Sequence, residues 1–393
     1  MWWEQAIQWF EAEDLRRRLS PGSPEGPYLV RDGRRLLNLS SNDYLGLSTD
    51  RRLLEAARQA LEEWGIGAGA SRLIAGDRPV HAKLEETLAA AKGTEAALVF
   101  SSGYAACVGA LSALTAPGDQ VFLDALCHAS LYDGARLSHA RLRRYRHRDP
   151  AHLETLINRY ADRKGRRFLV TDAVFSMDGT LAPLAELVDL AEEYRLFLVV
   201  DDAHGTGIIG PEGRGTLHYL GLADRVPLQL VTLSKALGTQ GGAAVGASSL
   251  VEFLVHRARS FVYSTGLAPP VASAAIEALR LVAAPEGEER RRHQQDLVER
   301  LKIGLASLGY AVRHEEPAPM LAVLLGSPGE ALRLSRALEE GGVVAPAIRP
   351  PTVPPGTSRI RLSPMATQSF DDIDSALAVF PPADNRRRER KAQ

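Results

Sequence analysis

The sequence predicts an α/β chain: a mostly parallel sheet covered by helices on both faces, followed by a smaller α+β region. Three observations predict it. Short apolar runs recur at AALVF (96–100), QVFLD (120–124), RFLVT (167–171), LFLVV (196–200) and LQLVTL (228–233). Helical segments separate them, and that alternation is how a parallel sheet becomes buried between helix layers. Polar motifs follow the runs, namely FSSGY, TDAVFSMDG, VDDAHG and TLSKALG. The carboxyl ends of parallel strands are where such sheets bind ligands.

Taken in order, residues 2–18 carry apolar side chains at helical spacing and lead into the Pro- and Gly-rich SPGSPEGP. YLVRDGRRLLNL then reads as strands joined by an Asp-Gly turn. Residues 1–47 form an N-terminal arm in this reading, and 48–285 form the large domain, entered by the helix DRRLLEAARQALEEW. Near Pro285 the chain turns highly charged, and strand-like MLAVLLG and RIRLS follow. Residues 286–393 are therefore set apart as a small domain, ending in a solvated tail, RRRERKAQ. A length of 393 residues exceeds what one core organises.

Hydrophobic residues at 45%, charged residues at 24% and a formal charge of -1 exclude the basic excess of a nucleic-acid binder and point to small-molecule partners. Two cysteines, Cys107 and Cys127, are too few for a disulfide framework. The first residues lack the continuous apolar stretch of a signal peptide, and no apolar run reaches membrane-spanning length. A cytoplasmic protein is expected. Lysine is scarce, confined to Lys83, Lys92, Lys164, Lys235, Lys302 and Lys391.

Lys235, after an apolar run and among small residues, is a candidate amine nucleophile whose partial burial would favour the neutral form. On its own it reads more readily as a lysine at a helix start, facing water. Asp201 and His204 lie in the preceding motif, VDDAHG. In a pyridoxal-phosphate site an aspartate must face the pyridine nitrogen to keep it protonated, and a histidine can reach the phenolic oxygen. The same pair also reads as an N-cap aspartate with a core histidine. Gly103 and Tyr104, opening a helix after AALVF, would offer N–H groups to a phosphate. His128 in LCHASLYDG stands where it could stack on a ring.

Two other chemistries fit the sequence less well. His139, His147 and His152 follow no metal-ligand spacing. Gly205, Gly207 and Gly210 match G-x-G-x-x-G, with Asp224 near the distance of a ribose-binding acid, which would suggest a dinucleotide-binding dehydrogenase. That fingerprint must open a helix, whereas here Pro211, Gly213 and Gly215 follow at once.

Together SSNDYLGLS, SSGY, CHAS, TDAVFSMDGTLAPL, VDDAHGTGIIGPEGRG, TLSKALGTQGG and IRPPTVPPGTSRIRLS resemble, in order and spacing, the α-oxoamine synthases along the whole chain. These are fold-type I pyridoxal-phosphate enzymes, typically homodimers, that join an amino acid to an acyl thioester with loss of carbon dioxide. The resemblance implies Lys235 as the Schiff-base lysine, Asp201 at the pyridine nitrogen, His204 at the phenolic oxygen and His128 on the ring face. It also implies cofactor contacts at Ser176 and Thr232, the latter at the phosphate. Arg16 and Thr352 match positions that contact substrate, Asn42 an active-site position, and Arg361 the partner of the amino-acid carboxylate, for which a guanidinium fork is well shaped. IRPPTVPPGTSRIR and LRRR favour an alanine-using member over a glycine-using one. GAGASRLIAG (67–76) and Tyr104, where phenylalanine is frequent, depart from the family pattern and leave the thioester open between coenzyme A and a carrier protein.

Overall fold

The computed structural model describes residues 1–161 and 164–383, which fall into two units. The larger comprises Leu47–Phe175 and Leu181–Arg291; the smaller comprises Met1–Gly46, Ser176–Thr180 and the chain from Arg292 onward. The arm set apart by the sequence thus groups with the C-terminal region, where the strand Arg34–Asn38 pairs in parallel with Val343–Val344. The boundary expected at 285/286 lies at 291/292. The tail RRRERKAQ lies outside the described residues.

The larger unit is built on a seven-stranded sheet. Its order is Ala96–Phe100, Gly242–Gly246, Leu228–Thr232, Phe197–Asp201, Arg167–Asp172, Gln120–Asp124 and Arg141–Tyr145. Gly242–Gly246 runs antiparallel to both neighbours, and the remaining pairings are parallel. Successive strand residues point to opposite faces. Val121, Phe168, Val170 and Val199 accordingly pack with the helix Gly103–Leu114. Phe122, Leu169, Leu198 and Val200 pack with Leu153, Ile157, Leu187 and Val188 of helices on the other side. This double burial is why the five runs read as unbroken apolar stretches.

Two strands escaped the sequence reading. RLRRY (141–145) is an edge strand whose arginines suit an unpaired border. GAAVG (242–246) is fully buried but made of small residues. A Cβ on Gly242 would come within 2.5 Å of Gly103 Cα, so the strand needs glycine where the start of the helix Gly103–Leu114 crosses it.

In the smaller unit the sheet order is Val312–Arg313, Leu321–Gly326, Ser358–Leu362 and Ala347–Ile348, all antiparallel. Ile360 and Leu362 face a core with Leu297, Leu301, Leu305 and Ile373. The first helix spans Trp2–Ala12, shorter than expected. Asp14 adopts φ 56°, and the amides of Leu15 and Arg16 turn back onto Phe10 O. That helix buries none of its residues, leaving Trp2 and Trp9 75% and 53% exposed. No helix among the described residues is long and apolar enough to cross a membrane.

Candidate active site

Asp172 and Asp201 are the last residues of adjacent parallel strands and stand directly opposite each other in register. Both are buried. Alternation along its strand turns Asp201 towards the helix Gly103–Leu114, where Cys107 Sγ donates to Asp201 Oδ2 at 3.3 Å; the amide of Ala203 donates to Oδ1 at 2.9 Å. Burial, reinforced by the charge of Asp201, pushes the Cys107 thiol well above its ordinary value and keeps it a neutral donor. Asp172 accepts the amide of His128 at 2.9 Å. Burial first, and then the charge of Asp201, raise the Asp172 carboxyl well above the usual carboxylate range.

His128 is the N-cap of the helix Ala129–Leu137. Its Nδ1 accepts from the amide of Ser130 at 3.3 Å and lies 2.6 Å from Ser130 Oγ, which assigns the ring proton to Nε2. The side chain is solvent-facing, yet the protein packed beside the ring withdraws enough water to lower its pKa; the cation of Lys235 adds to this and Asp201 opposes it. The charge of Lys235 is also felt at Asp172. Lys235, half-buried, therefore shares one electrostatic site with His128, Asp172 and Asp201.

No helix starts at Lys235, which corrects that alternative. The residue sits in a bend after the strand Leu228–Thr232, in a loop closed by Leu233 N to Gly241 O at 3.0 Å, Thr239 N to Leu233 O at 2.9 Å and Gly238 N to Lys235 O at 2.8 Å. No helix is capped by Asp201 either. His204, buried, lies in a turn where the amides of Gly205 and Thr206 bond Asp202 O at 3.1 and 2.9 Å.

Gly103 begins a helix whose N-cap, Ser102, accepts from Ala105 N at 3.1 Å, and helix geometry leaves its first N–H groups without intrahelical partners. Beside it Thr232 Oγ1 lies 2.8 Å from Ser234 Oγ and donates to Gly241 O at 3.1 Å. A Cβ on Gly103 would sit 3.0 Å from Thr232 Oγ1. Backbone donors and two hydroxyl groups thus lie together where a side chain at position 103 would crowd Thr232, a setting that suits an anionic group. Tyr104 is exposed and its phenol donates to Asp133 Oδ2 at 2.7 Å, so the contribution it can make to that cradle is its amide.

The smaller unit holds the other candidates. Arg361, buried, donates through one terminal nitrogen to Asn42 Oδ1 at 2.9 Å and to Tyr44 Oη at 3.0 Å, while its buried Nε has no partner. Burial pushes the Tyr44 phenol up to about 12. Arg16 pairs with Glu11 at 2.8 Å, and Thr352 Oγ1 accepts from its neighbour Arg17 at 2.9 Å. An apolar cavity of about 980 Å³ is walled by Ile7, Trp9, Phe10, Pro350 and Pro351, with Arg16 and Arg17 also lining it. Ser176 is half-buried in this unit, ahead of Asp178, which Arg359 and Arg313 bind.

Asp172, Cys107, Ser130 and Tyr44 were missed as site residues. Asp172, Ser130 and Tyr44 lie inside TDAVFSMDG, CHAS and SSNDYLGLS, but nothing local to Asp172 or Tyr44 announces a partner distant in sequence. Of the other histidines, His147 Nδ1 lies 2.9 Å from Asp124 Oδ1, and His152 Nδ1 accepts the amide of Arg146 at 2.9 Å. Gly205, Gly207 and Gly210 open turns and a three-residue 3₁₀ segment rather than a long helix, which removes the dinucleotide-binding reading.

A family model described as aminotransferase class I and II matches residues 34–380. A protein named 8-amino-7-oxononanoate synthase from Anaeromyxobacter sp. (strain K) is 46% identical over 394 residues, 98% of each chain. One of the same name from Methylococcus capsulatus is 47% identical over 380 residues, covering 96% of this chain and 97% of its own. Among solved structures, a serine palmitoyltransferase variant from S. paucimobilis with bound PLP and myriocin superposes at TM-score 0.91 and 29% identity, over 96% of this chain and 95% of the other. The 8-amino-7-oxononanoate synthase of Francisella tularensis superposes at TM-score 0.75 and 26% identity, over 88% and 96%. The match over residues 34–380 and the fold place this chain in the class I and II aminotransferase family, and it belongs to it. Within that family it groups with the 8-amino-7-oxononanoate synthases, whose length it matches almost end to end.

Proposed function

We propose that this chain joins L-alanine to a pimeloyl thioester, releasing carbon dioxide and the free thiol, to give 8-amino-7-oxononanoate for biotin biosynthesis with pyridoxal phosphate as cofactor. The observation that carries this reading is the likeness, at 46% identity over 98% of both chains, to a protein of that name. The residues present fit the cofactor. An anion cradle at Gly103, Tyr104 and Thr232 suits the phosphate, a buried carboxylate at Asp201 suits a protonated ring nitrogen, and a half-buried amine at Lys235 suits the aldehyde.

Pyridoxal phosphate, when bound, supplies an electron sink for charge developing on the α carbon of the amino acid. Asp201 holds a proton on the ring nitrogen, with Cys107 and Ala203 N fixing the carboxylate's direction. His204 would donate to the phenolic oxygen, and His128, held by its capping role, would lay its imidazole against the ring. Lys235 would hold the cofactor through its amine, and its Nζ, when free, would take the Cα proton of alanine. It returns a proton to that carbon after the new carbon–carbon bond has formed, the thiol has left and carbon dioxide has departed. Arg361 receives the carboxylate of alanine, for which its unpartnered Nε is an open donor. Asn42, which holds that guanidinium, acts beside it, Ser176 contacts the cofactor, and Arg16 and Thr352 contact the acyl donor. The apolar cavity walled by Trp9 and Phe10 suits the methylenes of a pimeloyl chain. The protein works in the cytoplasm as a homodimer, its thioester carried by coenzyme A or by a carrier protein.

The test is thiol release by purified protein offered alanine or glycine against pimeloyl and acetyl thioesters. Alanine with pimeloyl thioester is expected to be preferred. A preference for glycine with acetyl-CoA, the reaction of 2-amino-3-ketobutyrate CoA ligase, would overturn the assignment.

A further inference from the structure

The motif VDDAHG carries two adjacent acids, and strand alternation sends them to opposite faces of the sheet. Asp201 meets Cys107, whereas Asp202 meets Lys92, the last residue of the helix Pro79–Lys92. Lys92 is 2% exposed and Asp202 0%, in a protein with only six lysines. Lys92 Nζ donates to Asp202 Oδ2 at 3.0 Å, to Thr206 Oγ1 at 3.2 Å and to Arg214 O at 2.6 Å, so all three ammonium protons are used. Asp202 also accepts Thr216 N at 3.2 and 3.1 Å. In return Arg214 Nε donates to Ala91 O at 2.9 Å, clamping the loop to the end of the same helix.

Gly205, the first glycine of the apparent dinucleotide fingerprint, and Gly215 beyond it gain a different explanation here. A Cβ on Gly205 would lie 2.2 Å from Asp202 Oδ1, and one on Gly215, at φ +106°, would lie 1.9 Å from Asp202 Oδ2 and 2.6 Å from Lys92 Nζ. Backbone passes this close only without side chains. The loop that looks built to wrap a phosphate instead wraps an internal ammonium.

We infer that Lys92 and Asp202 are positioning residues for the cofactor site: their buried ion pair fixes the turn that carries Asp201 and His204. The inference rests on the reading of those two as cofactor contacts. A fully buried pair brings little net stability against an apolar replacement, whereas removing one partner strands the other charge. What the pair supplies is geometry, a single arrangement of residues 202–216 in which every ammonium proton has one acceptor.

The test uses full-length Lys92→Met and the double variant Lys92→Met/Asp202→Asn, with melting temperature, the visible circular dichroism of bound pyridoxal phosphate and the cofactor concentration for half-saturation as readouts. Lys92→Met should need about tenfold more cofactor or higher, with a weakened dichroic signal. The double variant should recover most of the melting temperature, since an amide still accepts from Thr216 N, yet keep the raised half-saturation, since nothing ties that turn to Arg214 O and Thr206. Half-saturation and dichroism equal to the parent in both variants overturn the inference, as does their full return in the double variant alongside stability. Borohydride trapping of the cofactor on Lys235 in the parent protein separates the two levels. Trapping elsewhere removes the site reading itself, whereas trapping on Lys235 with unaffected Lys92 variants removes this inference alone.

Discussion

At the carboxyl ends of the parallel strands in the larger unit, Asp124, Asp172, Asp201 and Asp202 are all buried, while the antiparallel sheet of the smaller unit buries Arg359 and Arg361. The partners differ as much as the signs. The carboxylates are met largely by backbone amides: Leu126 and Arg148 at Asp124, His128 at Asp172, Ala203 at Asp201 and Thr216 at Asp202. The guanidiniums are met by oxygens from several segments of their unit: Asp178 with the backbone carbonyls of Thr357 and Met177 at Arg359, and Asn42 with Tyr44 at Arg361. Parallel strands end where the next turn or helix begins, so N–H groups already point at an acid placed there. The antiparallel strand SRIRL has no turn amides at its buried positions, and its cations gather acceptors from several separate segments, backbone carbonyls of Thr357 and Met177 among them. One unit is therefore suited to a ligand's protonated nitrogen and phosphate, the other to a carboxylate.

That contrast can be broken at three points. The largest effect is expected for Lys235→Ala, which should erase the visible absorbance of the joined cofactor and cut turnover about a thousandfold or more. An unchanged spectrum sinks the role of Lys235. Arg361→Ala should raise the alanine concentration for half-maximal rate about thirtyfold while affecting the acyl donor little; equal alanine affinity would detach the smaller unit's cation from the amino acid. Asp172→Asn should change mainly the pH dependence of stability. The raised pKa of Asp172 means the folded chain keeps a proton that the unfolded chain has already released, so Asp172 makes stability fall as pH rises from the unfolded value of 3.8 towards the folded one. The amide variant still accepts from His128 N, and urea midpoints of the cofactor-free protein should decline less between pH 4 and pH 8, the interval about the carboxylate range. Parallel midpoint curves for the two proteins would show that Asp172 is ionised throughout.

The sequence made the five apolar strands and their order of motifs legible because burial on both faces writes itself as an unbroken run. RLRRY was hidden by its edge position, and GAAVG by the requirement for glycine where Gly103 passes. Lys235, Asp201, His204 and His128 could be picked out as strand-end residues, but the choice of Asp201 over Asp202 had no local basis. It depends on which face each acid turns to, a matter of where Cys107 and Lys92 arrive from helices 94 residues and 110 residues away in sequence. Asp172 was passed over for a related reason, since its neighbour Asp201 is adjacent only across a strand pair.

The first helix has a consequence for anyone observing this protein by light. Of four tryptophans, Trp2, Trp3 and Trp9 stand on that uncovered helix and Trp64 is half-buried at the end of another, so none of the three hydrophobic clusters described contains an indole. Intrinsic emission will report poorly on unfolding of the sheet, because three of its four sources are already solvated in the native chain. The same emission will respond strongly to whatever comes to rest against residues 2–10, making the protein's own fluorescence a reporter of association rather than of folding.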